Sequence, residues 1–332
     1  MKKNNSKNFV VVLLIFVMML SLGVKVLAQK TILFADAGWD SIRFHNHVVG
    51  IIMEEGYGGY TMEMVSGSTP VTFMGVRSGD IDVSMEIWTA NQKEPYNEAL
   101  AAGEVVELGV NFDDNAQGFY VPNYVLEGDA ERGIEPMAPG LKTVKDLPDY
   151  WQVFKDEEDP SKGRIYGAIP GWEADRIMQA KVETYGLDET YNYFSPGSDA
   201  ALSAGFVSAY ERGEPIVGYY WEPTWIMGKL DMTLLEDEPY SEELWNNGYA
   251  CEFESMPITI AANASFPEEY PELAEFLSKY STSSKMISEA LAYMMDNDTD
   301  ERAAAEWFLK NKEDVWTQWV SEEIAQKVRD SL

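Results

Sequence analysis

The sequence TILFADAGWDSIRFHNHVVGIIMEEGYGGYTMEMVSGSTPVTFMGVRSGDIDVSMEIW, residues 31–88, alternates short apolar runs with segments whose apolar residues recur at helical spacing. In order, it predicts a strand at residues 31–37, a helix at 41–55, a strand at 60–65, a helix at 69–77 and a strand at 83–88. Pro70 falls in the first turn of the second helix, a position that tolerates proline. A βαβαβ order is typical of a parallel sheet with helices on its faces.

The pattern starts again after residues 118–122, GFYVP. It predicts a strand at 164–169, helices at about 174–185 and 199–212, and a strand at 216–221. Residues 127–160, rich in Pro, Gly and acidic residues, predict an irregular excursion of this second half. A strand at 257–262 leads into acidic helices that return to the first half.

We therefore predict an α/β protein of two lobes, each a sheet flanked by helices. The first lobe takes residues 29–117 and 241–332, and the second takes residues 118–240. Because the chain passes between the lobes twice, the two crossings form a hinge.

Residues 1–28 form a separate segment. Three lysines precede an apolar run at residues 9–20, and Val26-Leu27-Ala28 supplies small or medium-sized side chains at the cleavage positions. These features are typical of a secretory signal peptide, whereas a membrane anchor, the alternative, needs about 20 apolar residues. We expect a mature chain from Gln29, exported across the inner membrane as a soluble periplasmic or extracytoplasmic protein. Since Cys251 is the only cysteine, neither a lipoprotein nor an internal disulfide bond is expected.

The charge balance argues against negatively charged partners. Four of the 25 basic residues and none of the 56 acidic residues lie in residues 1–28, so residues 29–332 carry a formal charge of −35. Nucleic acids and anionic lipid headgroups bind through basic patches, so neither is an expected partner. The charge fits either a high-salt habitat, where screening acts over about 3 Å at 1 M, or an ordinarily acidic extracytoplasmic protein.

Three segments place a tryptophan at a turn or strand end: Glu86-Ile87-Trp88-Thr89, Pro170-Gly171-Trp172-Glu173 and Tyr219-Tyr220-Trp221-Glu222-Pro223. Open α/β sheets bind ligands at the carboxyl ends of their strands, where these tryptophans fall. Several indole faces around one pocket attract a methylated ammonium group, which has charge but no N–H donor. Helix packing is the alternative for any one tryptophan, but the three together favour an aromatic cage.

Five segments carry a family resemblance: Ala37-Gly38-Trp39-Asp40, Gly79-Asp80-Ile81-Asp82, Val121-Pro122, Pro170-Gly171-Trp172 and Tyr220-Trp221-Glu222-Pro223-Thr224-Trp225. Over residues 30–330 the chain resembles the substrate-binding proteins of glycine betaine and choline (quaternary ammonium) ABC transporters, which have the type II periplasmic-binding-protein fold. The resemblance implies a ligand between the lobes, with Trp88, Trp172 and Trp221 around its trimethylammonium head. Trp39 and Tyr120 match positions that choline-binding relatives use.

The polar end of the ligand separates glycine betaine from choline. A carboxylate needs donors, and the turns at Gly38-Trp39-Asp40 and Trp172-Glu173-Ala174 each precede a predicted helix with unsatisfied N–H groups. Gln92 stands where some betaine-binding relatives carry a histidine, and it can donate through its amide. Asp40 can accept from the hydroxyl group of choline but repels a carboxylate. The order of the motifs favours glycine betaine, with choline or carnitine as the alternative.

The resemblance further implies delivery of the osmolyte to a membrane permease and its ATPase. We expect a monomer with no cofactor and no metal. An enzyme is the rival class of function. However, His45 and His47 point to different sides of a predicted helix, and two histidines and one cysteine offer few candidates for a catalytic triad. A carboxylate pair such as Asp40 with Glu86 keeps a carboxylate-dependent hydrolase as a remote alternative. We expect no enzyme and no catalytic residue.

Overall fold

The computed structural model describes residues 29–255 and 257–332, which form two five-stranded sheets flanked by helices. The strands, in chain order, are β1 (Lys30–Asp36), β2 (Tyr60–Ser66), β3 (Val83–Trp88), β4 (Val105–Phe112), β5 (Ala116–Pro122), β6 (Gly163–Tyr166), β7 (Tyr191–Phe194), β8 (Gly218–Glu222), β9 (Met232–Leu234) and β10 (Ile258–Asn263). The predicted signal peptide, residues 1–28, lies outside the described residues. Within the described ranges, no helix combines the length and the apolar character that crossing a membrane requires.

The α-helices of the described ranges follow in the same order. They are α1 (Asp40–Ile51), α2 (Thr69–Ser78), α3 (Lys93–Ala102), α4 (Asn123–Glu127), α5 (Glu173–Thr184), α6 (Asp199–Arg212), α7 (Trp225–Lys229), α8 (Glu242–Asn246), α9 (Phe266–Glu269), α10 (Pro271–Lys279), α11 (Ser284–Asp296), α12 (Glu301–Asn311), α13 (Glu313–Trp316) and α14 (Glu322–Ser331). A π-helical turn at Ile52–Tyr57 extends α1, and 3₁₀ helices lie at Val144–Tyr150 and Leu187–Glu189.

The first sheet has the strand order β2-β1-β3-β10-β4. β1 is parallel to β2 and β3, while β10 is antiparallel to β3 and β4, with Ile258 opposite both Trp88 and Phe112. On one face α1 packs against α12, where the rings of Phe44 and Phe308 meet edge to face at 5.5 Å. The parallel strands β1 and β3 therefore end at the same edge of the sheet, which faces the second lobe.

The second sheet repeats this layout in the order β7-β6-β8-β5-β9. β6 is parallel to β7 and β8, and β5 is antiparallel to β8 and β9. Gln117 of β5 is opposite Trp221 of β8. The carboxyl end of β8 therefore lies close to the point where the chain enters this sheet.

The chain changes sheets between Phe112 and Ala116, and again between Leu234 and Ile258. The segment that contains α8 contacts the second lobe, because the Lys181 ammonium group of α5 donates to the Tyr249 carbonyl oxygen at 2.9 Å. The boundaries at 117/118 and 240/241 stay a prediction, and these contacts support a second boundary nearer to residue 257.

Several predicted elements need corrected bounds. β3 and α6 match the prediction, but the strand predicted at 164–169 ends at Tyr166, and the strand predicted at 216–221 is Gly218–Glu222. The helix predicted at 41–55 is α-helical only to Ile51. Its continuation is the π-helical turn, where Gly56 packs so closely on α14 that an added Cβ would lie 2.6 Å from Ile324 Cγ2. The sequence did not predict several other elements, among them β4, β5, β7, β9 and α3.

Candidate functional site

The carboxyl ends of β1 and β3 bring two indoles and a carboxyl group together. Trp39 precedes α1, while Glu86 and Trp88 share one face of β3 because side chains alternate along a strand. The Trp39 Nε1–H group donates to Glu86 Oε2 at 2.7 Å, and the Trp88 Nε1–H group donates to the same oxygen at 3.2 Å. The polar edges of both indoles are thus satisfied by Glu86.

The second lobe contributes two more indoles, Trp172 just before α5 and Trp221 on β8. The Trp172 Nε1–H group donates to the Ala37 carbonyl oxygen of the first lobe at 2.9 Å. Nearby, the Thr69 N–H group donates to the Gly171 carbonyl oxygen at 3.0 Å. Because both hydrogen bonds cross the cleft, the two lobes are closed on each other.

The four indoles line one cavity in the cleft. The Trp172 ring centroid lies 5.3 Å from that of Trp39 and 5.1 Å from that of Trp221, with the planes nearly perpendicular in both pairs. Trp221 in turn stacks on Tyr219 at 5.8 Å. The side chains that line the cavity are those of Trp39, Thr69, Glu86, Trp88, Asn91, Gln92, Trp172, Glu173, Ala174, Tyr219 and Trp221. The arrangement is an aromatic enclosure with one buried acidic group in its wall.

Glu86 is fully buried, and burial raises the pKa of its carboxyl group to about 7. The hydrogen bonds from Trp39 and Trp88 act in the opposite direction, because they stabilise the ionised form. A cation beside this carboxyl group would also favour ionisation. Glu86 is therefore suited to hold a positive charge in the cavity.

In the described part of the chain, His45 packs against Glu86 but does not supply that charge. His45 Nε2 lies 3.5 Å from Glu86 Oε1, and His45 Nδ1 lies 2.7 Å from the Tyr280 hydroxyl oxygen. Burial lowers the pKa of His45 to about 3, so the imidazole is neutral. Since neither Lys nor Arg is among the described residues that line the cavity, a ligand is the counter-charge that Glu86 can receive.

Other residues that line the cavity carry hydrogen-bonding groups. Gln92 is 7% exposed and lines the cavity with its side-chain amide. Glu173 and Ala174 open α5, where helix N–H groups have no partner within the helix. Asn91 and Gln117 exchange amide hydrogen bonds of 3.3 and 3.1 Å across the cleft. These groups can hold the polar end of a small solute.

The structure brings most of the predicted binding residues into this cavity. They are Trp39, Trp88, Trp172 and Trp221 for the ammonium head, and Gln92, Glu173 and Ala174 for the polar end. Gly38, Asp40 and Tyr120 do not line it. Tyr120 packs in the second lobe and donates to Glu222 Oε1 at 3.2 Å, while Asp40 lines a neighbouring small pocket. The binding role of each of these residues stays a prediction.

Thr69, Asn91 and Tyr219 line the cavity although the sequence did not single them out as binding residues. A signal existed for Tyr219, because it lies two residues before Trp221 and so shares its strand face. Thr69 and Asn91 have no such signal, since their position depends on how the lobes close.

Two sheets joined by two crossings, with a buried cavity between them, define a solute-binding protein that closes over its ligand. The described residues contain no group of three or more His, Cys, Asp or Glu side chains suited to a metal ion. Residues 30–311 match the family model of the substrate-binding domain of ABC-type glycine betaine transport systems, and the chain belongs to this family. The predicted family, fold class and class of function are confirmed.

Individual relatives cover most of the chain. The trimethylamine N-oxide-binding protein of Pelagibacter ubique is 29% identical over 296 residues, which are 87% of this chain and 90% of that protein. The glycine betaine/proline betaine-binding periplasmic protein of Escherichia coli is 23% identical over 80% of this chain and 82% of its own.

Solved structures show the same fold. A choline-binding protein of an ABC transporter, in complex with choline, has a TM-score of 0.72 at 21% identity, and the match covers 91% of this chain and 97% of that one. Lactococcal OpuAC, closed around glycine betaine, has a TM-score of 0.68 at 19% identity, covering 87% of this chain and 99% of its own.

Proposed function

We propose that this chain is an extracytoplasmic receptor that closes over glycine betaine and delivers it to a membrane permease and its ATPase. The observation that carries the proposal is the cavity of four indoles whose wall includes the buried carboxyl group of Glu86. A trimethylammonium head has no N–H group to donate, so ring faces and a nearby negative charge are the contacts that recognise it.

The polar end supports a zwitterion with a carboxylate. The Gln92 amide and the first N–H groups of α5 are donors at the same cavity. They can receive the carboxylate of glycine betaine, while Glu86 would repel that carboxylate and so orients the solute head first. Choline and carnitine remain alternatives, although Asp40, the acceptor predicted for the hydroxyl group of choline, lies outside the lining of the cavity.

Trimethylamine N-oxide is a second candidate ligand. It presents the same trimethylammonium head with a single oxygen in place of a carboxylate, and one donor such as the Gln92 amide satisfies that oxygen. The lack of Lys and Arg among the lining residues favours so small a polar group. The likeness to the Pelagibacter protein, 29% identical over 87% of this chain, also supports it.

A panel of solutes tests the proposal by thermal shift and calorimetry: glycine betaine, trimethylamine N-oxide, choline, carnitine and proline betaine. A true ligand at 100 times its Kd adds about 2.7 kcal/mol of stability. Gln92→Ala should weaken the binding of glycine betaine by about 0.5 to 1.5 kcal/mol, the contribution of one neutral hydrogen bond, and leave the affinity for choline unchanged. Choline bound at least tenfold more tightly than glycine betaine would overturn the preference, and no stabilisation by any solute would overturn the function.

Several further properties belong to the same proposal. The family works in ABC-type transport, which supports export of the chain and pairing with a permease. We propose that it acts as a monomer, without lipid attachment and without catalysis. Light scattering with and without solute checks the first point, and the absence of any product after incubation with the panel checks the last.

A further inference from the structure

A line of buried polar groups runs behind the aromatic cavity, from Tyr280 through His45 to Glu86. His45 lies on α1 and Tyr280 directly follows α10, so three distant segments of the chain meet here. The Tyr280 hydroxyl oxygen lies 2.7 Å from His45 Nδ1, and His45 Nε2 lies 3.5 Å from Glu86 Oε1. All three side chains are buried, so these polar groups depend on one another for partners.

The facing atoms of His45 and Glu86 form no other hydrogen bond among the residues that the structure describes. The second oxygen of Glu86, Oε2, accepts from two indoles of the cavity, whereas Oε1 faces the imidazole. The ring of Phe112 stacks on the imidazole, with 6.1 Å between the ring centroids. The imidazole is therefore held in place with one nitrogen directed at the carboxyl group.

The tautomer of His45 decides what Glu86 meets. Burial lowers the pKa of His45 to about 3, so the imidazole is neutral and has one nitrogen that donates and one that accepts. When the Tyr280 hydroxyl group donates to Nδ1, the imidazole hydrogen lies on Nε2 and faces Glu86. In the other tautomer Nδ1–H donates to Tyr280, and the lone pair of Nε2 faces Glu86. That lone pair repels a carboxylate and suits only the protonated acid.

We infer that Tyr280 and His45 are positioning residues for Glu86: the Tyr280 hydroxyl group donates to His45 Nδ1 and so directs the Nε2–H group toward the carboxylate that receives the solute. The inference rests on the proposed function, in which Glu86 receives the ammonium head. Neither Tyr280 nor His45 lines the cavity, so each acts through Glu86 and not by touching the solute. At 3.5 Å the Nε2–H group acts mainly as a dipole, and its effect is strong because a buried site screens it weakly.

Nitrogen NMR tests the tautomer directly, because protonated and bare imidazole nitrogens differ widely in chemical shift. The chain has two histidines, so His47→Gln assigns the signals of His45. In the protein bound to glycine betaine, we expect the hydrogen of His45 on Nε2. Tyr280→Phe keeps the ring but removes the donor, and it should raise the fraction of His45 with its hydrogen on Nδ1. A hydrogen on Nδ1 in the bound wild type would overturn the inference.

Calorimetry of glycine betaine binding tests the effect on Glu86. Tyr280→Phe removes one neutral hydrogen bond from the line, so it should weaken binding about 2- to 10-fold at pH 7. Burial raises the pKa of Glu86 to about 7, and the ammonium head favours the ionised form, so affinity should rise with pH through that value. Without the directed N–H group the pKa of Glu86 is higher, and the rise should move to higher pH in the variant.

Other groups near Glu86 stay the same in this comparison. The titratable groups that face Glu86 are His45 on α1 and Tyr280 after α10, and Glu173 on α5 lines the same cavity. The Ser41 hydroxyl group also favours the ionised form of Glu86. Because the variant changes neither Glu173 nor Ser41, a displaced pH profile reports the line of Tyr280 and His45.

Tyr60→Phe is the matched control, since the hydroxyl group that it removes donates to Glu272 at the surface. It should keep the wild-type affinity and pH profile. His45→Leu repeats the calorimetry from the middle of the line should Tyr280→Phe fail to fold. Wild-type affinity and pH profile in a folded Tyr280→Phe or His45→Leu variant would overturn the inference and leave the receptor function intact. Absence of binding by every solute of the panel would instead overturn the proposed function.

Discussion

Burial of the Glu86 carboxyl group makes the stability of the protein depend on pH. Its pKa is about 7 in the folded protein against an ordinary value of 4.5, so folding favours the protonated form. Stability from this group is complete below about pH 4.5 and is lost as pH rises through about 7. Between pH 5 and pH 8, we expect the free energy of unfolding of Glu86→Gln to rise by up to about 3 kcal/mol relative to that of the wild type, measured by urea unfolding. Glu98→Gln, a change at an exposed residue, should show no such dependence on pH. If the free energies of unfolding of Glu86→Gln and of the wild type changed with pH in parallel, the argument would be refuted.

Trp221 offers the cleanest test of the aromatic walls. Its ring packs edge to face with Trp172, and its removal leaves the hydrogen bonds of the other three indoles in place. A desolvated cation–π contact is worth about 2 kcal/mol, so Trp221→Ala should weaken solute binding about 30-fold in calorimetry. Trp307→Ala, which removes a ring stacked on Tyr293 far along α12, serves as the control. Equal losses in the two variants would assign the effect to stability and not to the cavity.

The elements show how far periodicity alone predicts this fold. β3 and α6 were predicted with their observed bounds because each has an unbroken pattern that ends at a turn. β4 was not predicted because it is only half buried, and Glu107 and Gly109 interrupt its alternation of apolar and polar residues. The π-helical turn after α1 packs through Gly56 on α14, which is distant in sequence. Local pattern predicts elements, and contacts between distant elements set where they end.

Helix α5 links the cavity to the interior of the second lobe, since Trp172 precedes it and Lys181 lies near its other end. Lys181 is 1% exposed and pairs with Asp237 at 2.6 Å, which holds the segment after β9 against the helix. Breaking a buried pair leaves an uncompensated charge, so Lys181→Met should lower the free energy of unfolding by about 3 to 5 kcal/mol.

Chemical denaturation measures this loss. The matched control is Lys327→Met on α14, where an exposed lysine pairs with Glu323 and the change should stay within about 0.5 kcal/mol. If Lys181→Met lost no more free energy of unfolding than the control, the buried pair of Lys181 and Asp237 would not stabilise the fold.

At the scale of the whole molecule, the site is a product of closure. Trp39, Trp88, Trp172 and Trp221 come from four separate segments. The sequence predicted Trp88, Trp172 and Trp221 because strand ends of α/β sheets meet at one edge, whereas Trp39 was predicted from the family resemblance alone. The hydrogen bond from Trp172 to Ala37 and the position of Asn91 opposite Gln117 join the two lobes. No local pattern encodes such contacts, which is why Asp40 was predicted beside the ligand while the structure places it at a neighbouring small pocket.

The net charge of the chain is a property of the same scale. Residues 29–332 carry 56 acidic and 21 basic side chains, so most acidic groups lack a partner and repel one another. Raising NaCl from 0.1 to 1 M shortens the screening length from about 10 to about 3 Å and weakens that repulsion. We expect the melting temperature to rise by about 2 to 4 °C for each 1 kcal/mol gained. KCl at equal ionic strength should act alike, because screening depends on charge and concentration. A melting temperature that stays flat or falls with both salts would mean that repulsion between these carboxylates does not limit stability.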